Sequence, residues 1–294
     1  MHTVRRILSL ASLWIAYLVL FLGGAAVLGP AVDPNALTPE EQASSGMFAL
    51  IVGVLDLAIF GYWAARARVG GWRLWLTSAL VLYGVKTFSS QLETWYFVTA
   101  AHVPPEMLPR LFAMTLPLCV IWPGLLVWAL GPRGAQEPPP PLGRSRGSLV
   151  FRVLIAGALL YPVLFFSFGY FVAWQNAAVR AYYEGPVVAL PFLAHMAQMF
   201  HQDPRVLPFE MLRGLLWVAL GWPVWRWTRG PWWKGALLYA FMMAVVQNDL
   251  HLLPNPLMPA EVRMWHFIET ASSNFLFALG AAAILRPKTR ASGV

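Results

Sequence analysis

A polar stripe on an otherwise apolar helix is the part of the sequence best suited to chemistry. It lies in residues 263–280, and at 100° per residue one helical face carries Arg263, His266, Glu269, Thr270, Ser273 and Gly280, with Asn274 at its border. The surrounding stretch is apolar and long enough to cross a bilayer. An ionisable side chain there costs about 2.5–3.5 kcal/mol or more unless it has a partner. We therefore interpret the stripe as a candidate functional site.

Two other segments place polar side chains at a similar depth. In Y-G-V-K-T-F-S-S-Q-L-E-T-W-Y (83–96), Lys86 and Glu93 share one face, and Glu93 lies two turns, about 10 Å, nearer the outer surface. In V-V-Q-N-D-L-H-L-L-P-N-P (245–256), Gln247 and His251 share a face close to that surface. We therefore expect three helices to form one pocket in the outer half of the membrane, lined by Gln91, Glu93, Gln247, His251, His266, Glu269 and Asn274.

Three kinds of site fit these residue types. His266 and Glu269 lie three positions apart on one face, and with Glu93 and His251 they could bind a divalent transition metal, or, less readily, a haem. Without a metal, Glu93, His266 and Glu269 could act as general acid and base. The third interpretation is a water-filled vestibule whose polar groups satisfy one another. No H-E-x-x-H or H-x-x-x-H spacing is present, so these alternatives stay open.

A second polar site is predicted near the middle of the membrane. Asp56 is the only charged residue in V-G-V-L-D-L-A-I-F (52–60), and Lys86 lies at a similar depth on the next apolar segment. Consecutive antiparallel helices usually touch, so we predict that Asp56 and Lys86 form a pair. Such a pair either only orients two helices or belongs to a binding site or an ion or proton relay.

The composition is that of an integral membrane protein. Of the 294 residues, 59% are hydrophobic and 12% are charged, whereas soluble domains carry about 25% charged residues. The single cysteine, Cys119, excludes an intramolecular disulfide. The net charge of +8 is scattered among hydrophobic segments, so we expect no nucleic-acid partner. The expected partners are the lipid bilayer and a lipid or small-molecule ligand.

Segment lengths predict an all-α polytopic membrane protein with about eight transmembrane helices, since a spanning helix needs about 20 apolar residues. The predicted spans are 7–28, 47–65, 73–98, 108–130, 150–174, 208–227, 232–253 and 264–285. The first is longer than the roughly 7–15 apolar residues of a signal peptide, so we expect it to be retained as a helix.

A shorter apolar segment, 186–202, lies between the fifth and sixth predicted spans and is interrupted by proline. We interpret it as an interfacial or re-entrant helix. Its apolar side is expected to carry Phe192, Leu193, Met196 and Phe200. His195 and His201 on this segment could cover the pocket.

Basic residues alternate between loops in a way that predicts orientation. Fifteen Lys and Arg residues fall on one side of the predicted membrane and five on the other, namely Arg110, Arg180, Arg205, Arg213 and Arg263. Glu210 is among the acidic residues assigned to this second, outer side. The positive-inside rule then predicts a bacterial-type inner-membrane protein with both termini in the cytoplasm.

A weak internal similarity suggests two parallel four-helix repeats, an arrangement that some transporters show. Residues 62–73 resemble 222–234, and residues 104–112 resemble 258–267. The two halves would be 1–130 and 150–294, joined by a cytoplasmic linker rich in proline and arginine at 131–149. The alternative is that common loop rules produce similar hairpins.

These observations favour a membrane-embedded enzyme that acts on a lipid or lipid-linked substrate near the outer leaflet. Glu93, His266 and Glu269 would be its catalytic or metal-binding groups, and Gln91, Gln247 and Asn274 would bind the substrate. A small-solute transporter coupled to ions or protons is the alternative, supported by the repeat and by the midplane pair. A structural or assembly protein without a small-molecule site is the third possibility.

Overall fold

A computed structural model describes residues 2–31, 37–100, 102–132, 136–139, 141 and 145–286. Within these residues the chain is all-helical and contains no β-strand, apart from one isolated bridge between Ala67 and Thr228. Part of the predicted linker (133–135, 140 and 142–144) and the C-terminal residues 287–294 lie outside the described residues.

The described helices follow one another in the chain with short connections. They are α1 (His2–Leu28), α2 (Pro39–Arg66), α3 (Gly71–Tyr83), α4 (Ser89–Tyr96), α5 (Leu108–Ala113), α6 (Leu116–Leu130), α7 (Arg146–Leu154), α8 (Tyr161–Phe168), α9 (Ala177–Tyr182), α10 (Phe192–Gln202), α11 (Val206–Trp227), α12 (Trp232–Phe241) and α13 (Ala260–Leu285). Single π-helical turns join α3 to α4 (Gly84–Phe88) and α7 to α8 (Ile155–Leu160), and extend α8 (Gly169–Ala173) and α12 (Met242–Val246). Short 3₁₀ turns precede α5 (Pro105–Met107) and follow α12 (Asp249–Leu252).

Five helical segments of the described chain are long and apolar enough to cross a membrane. They are Val4–Leu28, Pro39–Arg66, Pro105–Leu130, Arg146–Ala173 and Ala260–Leu285. Their outer surfaces expose large apolar side chains such as Val19 and Val163, as expected of helices in contact with lipid. The protein is therefore a multi-pass helical membrane protein.

The other three predicted spans correspond to helical segments 71–96, 206–227 and 232–252, which do not meet the same criterion. Two of them carry charged side chains in their interior, Lys86 and Glu93 in the first and Glu210 and Arg213 in the second, and these lower the mean hydropathy. In the third, α12 and its π turn end at Val246, after only fifteen residues. The count of eight spans therefore stays a prediction, as does the parallel repeat.

Large aromatic side chains fill the centre of the first half, where α1 and α3 pack on α6. Tyr17 and Trp122 are fully buried and meet edge to face, with 5.2 Å between ring centroids. The Trp122 indole donates a hydrogen bond to the carbonyl oxygen of Leu13 (2.9 Å), which satisfies its only polar group. This packing holds α1 beside α2, the helix that carries Asp56.

In the second half, glycine permits an unusually close approach between α11 and the π turn before α8. A Cβ atom on Gly214 would collide with the carbonyl oxygen of Gly157 and with the Tyr161 side chain. Only glycine fits such a contact, because its missing Cβ lets the two backbones meet. The next residue back, Arg213, is thereby pressed against the aromatic rings of α8.

α10 lies in the segment predicted to be interfacial or re-entrant between the fifth and sixth spans. Its inward face carries five side chains at helical spacing, Phe192, His195, Met196, Met199 and Phe200. Leu193, which was predicted on the same apolar side as Phe192, is 78% exposed. It lies at the edge of this side, about 20° of helical rotation beyond Phe200.

Candidate functional site

A cavity of about 1490 Å³ lies between the two halves of the protein. Ligand pockets usually measure about 300–1,000 Å³, so this one could hold a long amphiphilic molecule. Most of its wall is apolar, with contributions from both halves that include Leu18, Phe21, Leu22, Met107, Phe166 and Met196. The inward face of α10 closes one side of it.

The cavity brings together six of the residues predicted for the pocket, Gln91, Glu93, Gln247, His251, His266 and Glu269. Asn274 does not line the cavity but donates a hydrogen bond from Nδ2 to Oε1 of Gln247 (2.9 Å). Gln247 in turn donates from Nε2 to the Ser90 hydroxyl oxygen (3.3 Å). Asn274 therefore orients a lining residue, while Asp56 and Lys86 lie outside the cavity wall.

His266 is held between two oxygen atoms in the polar part of the cavity. Its Nδ1 lies 3.3 Å from Oε2 of Glu269, one turn further along α13. Its Nε2 lies 3.0 Å from the hydroxyl of Tyr183, which follows α9. With Glu269 ionised, Nδ1–H donates to the carboxylate and Nε2 accepts the Tyr183 hydroxyl hydrogen, so the neutral imidazole has a defined tautomer.

Arg213 links two carboxylates beside this pair. Its Nη1 donates to both oxygens of Glu210 (3.0 and 2.8 Å), and its Nη2 lies 2.5 Å from Oε2 of Glu93. The guanidinium also lies over the rings of Tyr161 and Phe165, at 5.7 and 5.6 Å from their centroids. Glu93 is thus a cavity-lining carboxylate whose orientation depends on a buried arginine.

The placement of Arg213 and Glu210 among charges outside the membrane is wrong. Both side chains are buried, at 2% and 0% exposure. α11 begins at Val206 and turns these residues inward, where the glycine contact at Gly214 lets the helix approach α8. Buried charges need partners, and Glu93 and Glu210 supply them for Arg213.

The described residues do not form the predicted metal site of Glu93, His251, His266 and Glu269. No group of three His, Cys, Asp or Glu side chains in the described parts of the chain is arranged to hold a metal ion. Glu93 is engaged by Arg213, and the rings of His251 and His266 are 6.5 Å apart at their centroids. Nδ1 of His251 instead lies 3.3 Å from the carbonyl oxygen of Asn248. The sequence could not indicate Arg213 as a competing partner of Glu93, because it comes from another helix.

The predicted contact between Asp56 and Lys86 is confirmed, and it is part of a larger cluster. The Lys86 Nζ lies 3.1 Å from Oδ2 of Asp56 and 2.5 Å from Oδ2 of Asp249. The Tyr17 hydroxyl donates to the same Asp56 oxygen (2.6 Å). The analysis of the sequence missed Asp249, although it is the only acidic residue in the predicted seventh span. We call these four side chains the midplane cluster.

Aromatic contacts hold α10 over the cavity. The His195 ring packs on Trp174 and Tyr170 (4.9 and 5.5 Å between centroids), and Phe200 packs on Phe166 (5.2 Å). Burial lowers the pKa of His195, which favours its neutral form at neutral pH. His195 lines the cavity as predicted, whereas His201 is exposed and does not.

The turn after α10 is tied to α4. The Tyr96 hydroxyl donates to Oδ2 of Asp203 (2.7 Å), and Arg205 donates to Oδ1 from its backbone nitrogen and from Nε (3.1 and 3.0 Å). These hydrogen bonds, led by that of Tyr96, hold the pKa of Asp203 below its usual range. The turn thereby connects the segment over the cavity with the helix that carries Glu93.

Comparisons with known proteins found no match to any family model, any curated protein or any solved structure. The function is therefore inferred from the residues that line the cavity and from the charges beside it.

Proposed function

We propose that the protein is a membrane-embedded enzyme that acts on a lipid or lipid-linked substrate by general acid–base catalysis. The observation that carries this proposal is the position of His266 and Glu269 at the polar part of a large, mainly apolar cavity. An amphiphilic substrate matches both parts, since its hydrocarbon would contact the apolar wall and its headgroup would meet the polar side chains.

In this proposal His266 accepts and donates the proton, and Glu269 holds the His266 ring in position. A substrate hydroxyl or a water molecule that replaces the Tyr183 hydroxyl at Nε2 could transfer its proton to His266. The Glu269 carboxylate would stabilise the resulting imidazolium from the Nδ1 side. Gln91 and Gln247 would bind the headgroup, and Glu93, held by Arg213, is the second carboxylate available for proton transfer.

Glu269→Gln is expected to lower turnover by roughly 10²–10⁴-fold, the usual contribution of general acid–base catalysis, while the melting temperature changes little. The amide keeps the shape of the side chain but cannot stabilise an imidazolium. Purified protein in nanodiscs of bacterial total lipid would be incubated, and the lipid species consumed and formed would be measured by mass spectrometry.

The exposed Glu106, in the 3₁₀ turn before α5 and outside the cavity wall, provides a matched control. Glu106→Gln should turn over lipid at the rate of the unmodified protein. Equal turnover by Glu269→Gln and Glu106→Gln, or a loss that only parallels a lower melting temperature, would overturn the catalytic proposal.

A proton-coupled transporter is the second candidate, because the midplane cluster lies directly behind the cavity wall. The Phe21 ring contacts both the cavity and the cluster, since it lines the cavity and its centroid lies 5.7 Å from the Lys86 Nζ. In a transporter of this kind the cavity would carry the solute and the cluster would carry the coupling ion. Conversion of lipid species by the purified protein alone would favour the enzyme over the transporter.

We further propose eight transmembrane segments in a bacterial-type inner membrane, with both termini in the cytoplasm. Support comes from basic loops that lie together. Arg68 and Arg229 both pair with Glu137, at 2.8 and 3.4 Å. The Arg68 backbone nitrogen also donates to the carbonyl oxygen of Trp227 (2.6 Å). Loops on the same side of the membrane can meet in this way, and their positive charge favours the cytoplasmic side.

Cysteine labelling tests this orientation in a Cys119→Ala background. An impermeant maleimide added to intact cells should label Glu40→Cys and Pro204→Cys, whereas Gly147→Cys should react only after the membrane is permeabilised. All three positions are exposed to solvent or to the membrane surface. The reverse labelling pattern would place the cavity in the inner half of the membrane and contradict the proposed orientation.

A further inference from the structure

We infer that Asp56 and Asp249 share one proton beside the Lys86 ammonium, which makes the midplane cluster an internal proton site beside the cavity. This inference goes beyond the proposed catalytic function and does not depend on it. It follows from the number of charges, their distances and their burial.

One ammonium group serves two carboxylates in the cluster. The Nζ atom of Lys86 lies within hydrogen-bond distance of both Asp56 Oδ2 and Asp249 Oδ2 (3.1 and 2.5 Å), and all three side chains are 0% exposed. If both carboxylates were ionised, the cluster would hold a net negative charge where water cannot screen it. Buried ions of this kind neutralise by taking up or releasing a proton.

Among the described residues, no other cation balances this charge. The other titratable groups beside Lys86 and the two carboxylates are the Tyr17 phenol on α1, which donates to Asp56, and the buried Cys119 thiol on α6. Neither group carries a positive charge. In the described chain, salt bridges to Lys86 come only from the two aspartates. A proton on one carboxyl group therefore completes the charge balance.

The unpaired oxygens of the cluster agree with this assignment. Oδ1 of Asp56 and Oδ1 of Asp249 are both buried and have no hydrogen-bond partner. A carboxylate normally accepts several hydrogen bonds, so two ionised groups that each leave a buried oxygen unpaired would be poorly stabilised. The ammonium itself is well accommodated, because the rings of Tyr17 and Phe21 lie 5.9 and 5.7 Å from it on its remaining side.

The backbone around the cluster is also irregular. Lys86 lies within the π-helical turn Gly84–Phe88, and a second π turn, Met242–Val246, ends three residues before Asp249. Such single π turns within α-helices occur frequently at functional sites, since the extra residue re-aims the side chains that follow. The two π turns thereby direct the positive charge of Lys86 and the negative charge of Asp249 towards each other.

Infrared spectroscopy of protein labelled with [4-¹³C]aspartate tests the inference. The chain has only four aspartates, so a C=O stretch of a protonated carboxylic acid that shifts with the label reports on very few groups. At neutral pH we expect such a band in the unmodified protein. Asp56→Asn and Asp249→Asn should each abolish it, because a single remaining carboxylate then balances Lys86.

Asp203→Asn is the matched control, since Asp203 lies at the surface with Arg205 and its change should leave the band in place. Absence of a label-sensitive acid band in the unmodified protein, or its survival in a folded Asn variant, would overturn the inference. If only one of the two Asn variants folds, the loss or survival of the acid band in that variant decides the test. Misfolding of both would also contradict a bound proton, because asparagine resembles the neutral acid in shape and charge.

Discussion

Replacing Lys86 with methionine is expected to lower the free energy of unfolding by about 3–5 kcal/mol, the usual cost of removing one partner of a buried ion pair. Methionine fills a similar volume, but Asp56 and Asp249 are then left fully buried without a cation. Thermal and denaturant unfolding in detergent would measure the loss. Lys234→Met, at a partly exposed lysine, is the control and should change stability by less than about 0.5 kcal/mol.

Rescue by a second substitution distinguishes the two aspartates. Adding Asp249→Asn to Lys86→Met should restore more stability than adding Asp56→Asn, because Asp56 keeps the hydrogen bond from Tyr17, whereas among the described residues the hydrogen-bond donor to Asp249 is Lys86 alone. Equal rescue by the two aspartate changes, or a Lys86→Met variant as stable as Lys234→Met, would contradict the geometry of the cluster.

The contact of Asp56 with Lys86 could be predicted from the sequence because both residues lie on consecutive antiparallel segments at the same depth. Asp249 could not be assigned in the same way. It is 163 positions from Lys86, and the two meet because α2 and the π turn Gly84–Phe88 pack against the π turn at the end of α12. Depth along a span can be read from sequence, whereas the rotation and pairing of distant helices depend on packing across the whole protein.

The same distinction, between depth along a span and the pairing of distant helices, explains which cavity residues could be predicted from the sequence. Glu93, His266 and Glu269 were expected near one level from the spacing of polar residues, and all three line the cavity. Tyr183 was missed because it lies in a connecting segment with no periodic pattern. Arg213 was misassigned because it lies near the end of a predicted span, where a basic residue usually marks a loop. Only the close approach at Gly214 reveals that it is buried.

Arg213→Met is expected to have the other large effect on stability, again about 3–5 kcal/mol. The substitution removes the only hydrogen-bond donor to Glu210 found among the described residues, leaving a carboxylate of 0% exposure without a partner. Arg213→Lys should recover only part of the loss, because an ammonium cannot reproduce the forked contacts that reach Glu210 and Glu93 together. Thermal unfolding in detergent would measure both variants.

Arg205→Met offers a matched control immediately before the same helix, because its side chain is 82% exposed and pairs only with the nearby Asp203. This surface pair should contribute no more than about 1 kcal/mol. Adding Glu210→Gln to Arg213→Met should recover stability, since the amide removes the unpaired charge. If Arg213→Met unfolds at the same temperature as Arg205→Met, or gains nothing from Glu210→Gln, then Arg213 does not neutralise Glu210. The orientation of Glu93 in the cavity would then have to come from another group.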